Sequence, residues 1–202
     1  SDQDLFVASQ LAYYEISNEE IYTLIDQGKE PTLANILQGK EDTRKDLVES
    51  RDATEPGSIE RTRAQEELDL FDSFASADSE YGKWKVVNVK DNNNETGFYG
   101  LVIETSPGDA IVGFRGSEAK GNQFEKDWIQ TDFKMINEGV GVEQQKLAAQ
   151  YMAEINSKFS YDTYATAGHS LGGNLSFYAA ITAPPEMREK IIRALNGDGP
   201  GF

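Results

Sequence analysis

The chain has no cysteine, and its 202 residues include one histidine, His169. The first absence removes disulfides, thiolate metal ligands and thiol catalysis. The second leaves His169 as the one imidazole able to take or give a proton near neutral pH. No run of about 18 apolar residues occurs, and the N-terminus lacks a basic, apolar, small-residue leader. Neither a membrane span nor a secretory signal is therefore expected, and the cytoplasm is the expected location. Positive charge is scarce as well: 19 Lys and Arg stand against 35 Asp and Glu, for a formal charge of −16. That balance speaks against a nucleic-acid surface, where clustered cations neutralise phosphates, and against anionic membranes.

What is present suits one α/β domain over residues 1–202, with 38% hydrophobic residues available for its core. The first 80 residues read as a helical region. Leu5, Ala8, Leu11 and Ala12 fall at helical spacing, and Asn18 with Glu19 and Glu20 opens a second helix carrying Ile21, Leu24 and Ile25 that Gly28 closes. Pro31 opens a short third helix that Gly39 ends. The mixed charges of residues 39–67 suit a solvated helical face, with residues 51–57 the least structured piece. Ser58 caps a longer helix with Ile59, Leu68, Phe71 and Phe74 on its apolar side.

From Trp84 the period becomes that of strands. Residues 84–89, 98–104 and 110–114 read as a meander, separated by the polar tract at residues 91–95 and by Pro107-Gly108. A helix over residues 144–159, a strand over 161–167, a helix from Leu171 to the Pro184-Pro185 stop and a strand over 191–195 follow. That alternation predicts a mostly parallel sheet.

At the end of the 161–167 strand stands Gly168-His169-Ser170-Leu171-Gly172, a G-x-S-x-G pattern between strand and helix. Short Gly/Ser patterns arise by chance, but these flanks are the ones a nucleophile elbow requires. The glycines make room for a tight turn, and Ser170 is expected to be strained, with its hydroxyl exposed at the positive end of the helix. An acyl-transfer site also needs amide donors for an oxyanion, one following the nucleophile and one from a neighbouring loop. Leu171 N–H and Ser117 N–H, the latter in Phe114-Arg115-Gly116-Ser117, fit those two roles.

Together these residues resemble the lipase class 3 branch of the α/β hydrolases. The shared features are Arg115-Gly116-Ser117, Trp128, the Gly-His-Ser-Leu-Gly-Gly elbow at residues 168–173, and a Gly-x-Pro turn within residues 196–201. The resemblance runs from about residue 110 onward. It implies an α/β-hydrolase-like sheet, Ser170 as nucleophile, Ser117 and Leu171 as oxyanion donors, and a small-molecule acyl ester or lipid as substrate, without cofactor or metal. In that family the acid and then the histidine follow the serine on later strands, which this sequence lacks.

Asp198, at the end of the strand beside the elbow, is a candidate acid, although the family places its acid later. His169, next to the nucleophile in sequence, should point away from it and pack the turn. The first expectation is therefore a serine ester hydrolase whose acid and base are supplied by a C-terminal segment or a second chain, residues 1–202 alone being nearly inactive. The alternative is a non-catalytic binding or scaffold protein with the same fold. Residues 117–133, with Lys120, Gly121, Asn122, Phe124 and Trp128, occupy the place of a lid, although packing is the favoured account of Trp128.

Overall fold

The computed structural model describes residues 1–92, 94–115 and 140–199. In chain order these form α1 (Asp2–Leu11), α2 (Asn18–Asp26), α3 (Leu33–Leu37), α4 (Glu41–Asp52), α5 (Ile59–Ala75), β1 (Lys85–Asn92), β2 (Phe98–Ser106), β3 (Asp109–Arg115), α6 (Val140–Lys158), β4 (Thr163–His169), α7 (Leu171–Thr182), α8 (Pro185–Arg188) and β5 (Ile191–Gly197). The chain is α/β. It divides into two compact units, Asn18–Val86 and Ser1–Ser17 with Val87–Phe202. No helix among the described residues is long and apolar enough to cross a membrane.

In the unit Asn18–Val86, helix ends fall where their capping chemistry places them. Ser58 Oγ accepts from Arg61 N at 3.1 Å, Thr32 Oγ1 accepts from Asn35 N at 3.2 Å, and Gly28 closes α2 at φ +73°. Leu33, Ile36, Leu37, Leu68, Phe71 and Phe74 are buried, and Tyr81 packs edge-on to Trp84 at 5.0 Å. Two sequence expectations fail here. Ile59 and Ile25 lie outside the core, at 68% and 51% exposure, because the buried stripes of α5 and α2 are narrower than their apolar spacing suggests. Helix α4 continues to Asp52 although it buries no residue; Arg44 ties it to α5 through a two-pronged pair with Asp72 at 2.7 and 2.9 Å.

The other unit is built on a mixed five-stranded sheet in the order β1-β2-β3-β4-β5. β2 and β3 pair antiparallel, whereas β3–β4 and β4–β5 are parallel. On one face, Phe98, Val102, Val112 and Phe114 of the sheet pack with Tyr151, Met152 and Ile155 of α6 and with Leu175 and Ala179 of α7. Side chains alternate along a strand, so Gly113 faces the opposite side, where a Cβ would meet Ala8 O of α1 at 3.3 Å. Several boundaries differ from the sequence reading. β1 runs on through Asn92, Trp84 stays outside it, and the polar turn is held by Glu95 N and Thr96 N donating to Asn92 O. β4 begins two residues later than expected and ends at His169, which brings Ser170 to the first position beyond the strand.

Candidate active site at the β4–α7 junction

Ser170 joins β4 to α7 with φ 55° and ψ −133°. This lies outside the small left-handed helical well open to non-glycine residues, and holding a residue in so sparse a region costs on the order of 1–3 kcal/mol. The surrounding backbone enforces it. Ser170 N donates to Gly197 O on β5 at 2.7 Å, and Gly173 N donates to Ser170 O at 2.8 Å. The junction closes only because its flanking residues lack side chains. A Cβ on Gly168 would stand 2.0 Å from Gly172 O, and one on Gly172 would stand 2.3 Å from Phe114 O of β3. The glycine spacing in the sequence is thus a packing requirement.

The hydroxyl is less open than expected, for Ser170 is 7% exposed and Leu171 is 2% exposed. The turn after β5 accounts for part of this cover. Asn196 Oδ1 accepts from Gly199 N at 2.8 Å, and the folded turn brings Gly199 so close that a Cβ there would lie 2.4 Å from Ser170 O. Asp198 sits on this turn at φ 54°, exposed to solvent. Behind the elbow, the nearly buried Asn174 of α7 accepts from Gln145 Nε2 of α6 at 2.8 Å.

A second constellation flanks Ser170 on the α1 face. Tyr99, Arg115, His169 and Gly197 stand in one register row across β2, β3, β4 and β5. The Arg115 guanidinium lies 5.0 Å from the Tyr99 ring centroid and pairs with Glu15 Oε1 at 3.3 Å. Tyr99 OH donates to Ile16 O at 2.6 Å, and the His169 ring meets Tyr13 edge-on at 6.5 Å. His169 therefore packs the turn from the α1 side. Among the expected site residues, Ser170 and Leu171 meet at the junction and Asp198 lies on the neighbouring turn. Ser117, the lid residues including Phe124 and Trp128, and Pro200 with Gly201 lie outside the described residues. The sequence reading did not single out Tyr13, Glu15 or Tyr99, and it took Asn196 only as part of the turn at residues 196–201. For Asn196 a signal existed in the Asn-Gly-Asp-Gly turn pattern; for the others, partners come from segments too far apart in sequence to be matched.

A family model described as Mbeg1-like matches residues 78–202, more than half of the chain. No curated protein and no solved structure matches it.

Proposed function

The chain belongs to the Mbeg1-like family, and from the geometry of the β4–α7 junction and the sequence resemblance we propose that it is a serine hydrolase of the lipase or esterase type, α/β-hydrolase-like in fold, acting on acyl esters through Ser170. The observation that carries this reading is the backbone of Ser170, a non-glycine residue at φ 55°, ψ −133° between a parallel strand and a helix. Glycine would adopt that conformation with little strain, so a serine there retains a hydroxyl at a conformational cost.

The chemistry follows from that assignment. Ser170 Oγ attacks the ester carbonyl, the C–O bond to the alcohol breaks, and an acyl-serine forms that water then cleaves. Leu171 N–H, at the first turn of α7, is one donor to the oxyanion, helped by the positive end of the helix, and the resemblance assigns the second to Ser117 N–H. The proton of Ser170 needs an acceptor, and His169, set against Tyr13 on the α1 face, is not it. The reading requires a histidine and an acid from a further segment or a second chain, with Asp198, on the turn after β5, the alternative acid. Loss of a triad histidine costs on the order of a million-fold in rate, so residues 1–202 alone are expected to turn over esters negligibly.

The commitment of the single histidine to Tyr13 also favours a second reading, a binding or scaffold protein that keeps the elbow without catalysis. A fluorophosphonate probe and a short-chain nitrophenyl ester, with Ser170→Ala as control, separate the two. Ser170-dependent labelling and hydrolysis support the enzyme. A natural protein that has a histidine in place yet neither labels nor hydrolyses favours the binding reading.

A further inference from the structure

Residues 12–17, between α1 and α2, cross the strand ends beneath the elbow. Going along this short segment, Tyr13 meets His169 at the end of β4, Glu15 meets Arg115 at the end of β3, and Ile16 O accepts from Tyr99 at the start of β2. Those three sheet residues are direct neighbours in the strand register. The segment is therefore a strap fastened to each of three adjacent strands, and His169, one of its fastening points, is covalently next to Ser170.

We infer that Arg115 is a positioning residue that couples this strap to the nucleophile elbow. Its side chain is 7% exposed, so its charge is held away from water and must be satisfied by the strap and the sheet together. The planar guanidinium does this by stacking on Tyr99 while donating to Glu15, a combination a lysine ammonium cannot reproduce. Tyr99 in turn fastens Ile16, one residue beyond Glu15, so the contacts close a loop between strap and sheet. Phe114, immediately before Arg115, carries the carbonyl against which Gly172 is packed. A shift of the β3 end consequently moves the wall that holds the elbow in its strained form, and Glu15 itself stands at a positive φ of 47°. The structural coupling stands on these contacts; its catalytic consequence rests on the reading of Ser170 as nucleophile.

The test uses Arg115→Lys and the milder Glu15→Gln, the latter at a residue 64% exposed and so tolerant of change. Two quantities are measured in the natural protein and in both variants: amide hydrogen exchange, and the concentration dependence of fluorophosphonate labelling. Exchange at the Ser170 and Gly173 amides, which close the elbow, is expected to rise while amides in the middle of β4 keep their rates. The maximal labelling rate should fall roughly 10- to 100-fold in Arg115→Lys with half-saturating probe concentration nearly unchanged, since small misplacements near a reacting group cost that much. Unchanged exchange at Ser170 and Gly173 in Arg115→Lys overturns the inference, whatever the labelling does. Raised exchange in a protein that never labels upholds the coupling and defeats the nucleophile reading instead.

Discussion

The two ends of β3 and β4 solve the same problem in opposite ways. Where the strands begin, the chain must turn through a positive φ between β2 and β3, and it uses Gly108 at +91°, a residue for which that conformation carries little strain. The polar groups there are satisfied in ordinary fashion: Asp109 accepts from Ser106 Oγ at 2.6 Å and from Thr163 Oγ1 at 2.5 Å, and Tyr161 OH donates to Glu104 at 3.1 Å. Burial, reinforced by the Glu104 charge, pushes the Tyr161 phenol well above its usual range, so it remains a neutral donor. Where the strands end, the positive φ falls on Ser170, the flanking glycines have no room for a methyl group, and an arginine is nearly buried. One end is relaxed and the other holds strain on a hydroxyl-bearing residue. In sheets with parallel strands, ligands gather at the carboxyl ends, which is where the strain lies.

That contrast can be broken most severely at Ser170 itself. Ser170→Ala should abolish fluorophosphonate labelling and ester hydrolysis, a drop on the order of a million-fold in a complete site, while circular dichroism shows an intact fold. Activity surviving in this variant would place the chemistry elsewhere. Next in size, Gly172→Ala should destabilise the protein by about 3 kcal/mol in urea melts, because the new methyl would stand 2.3 Å from Phe114 O, which as backbone cannot swing aside. A loss within experimental error would show that the junction is looser than its geometry implies.

The strain itself is open to a gentler probe. Ser170→Gly should raise stability by about 1 kcal/mol, reversing the usual penalty for adding glycine, since the native φ is one that glycine adopts freely. Loss of stability in this variant would mean that Ser170 is not strained. The smallest effect belongs to the relaxed end. Hydrogen bonds from Ser106 and Thr163 hold the Asp109 carboxyl below its usual range. With the folded pKa depressed, the stabilisation is present above the unfolded value near 3.9 and is lost as pH falls through the folded pKa. Thr163→Val should remove less than about 1 kcal/mol at neutral pH, flatten this acid limb of the melting curve, and leave labelling of Ser170 unchanged.

The local features of the elbow were legible because local chemistry dictates them. The two glycines of G-x-S-x-G between a strand and a helix announce a tight junction, and caps such as Ser58 announce themselves by residue type. The relaxed end was readable for the same reason, through Pro107-Gly108. What escaped was everything set by register. Arg115 and Glu15 are brought together only by the path of residues 12–17 over the sheet, and nothing in either neighbourhood names the other. The cover over Ser170 was missed because it comes partly from the turn at residues 196–199, whose approach depends on Gly199 and Asn196 in three dimensions. Helix α4 had no apolar stripe to mark its end, and Ile59 looked like a core residue because spacing alone does not tell how wide a buried stripe is.

The central claim is that the strained Ser170 is a nucleophile. Treating the natural protein with a fluorophosphonate and mapping the adduct by peptide mass spectrometry tests it most directly. The account predicts one adduct, on Ser170, absent from Ser170→Ala; an adduct on another residue, or none in a protein with its histidine in place, would contradict it.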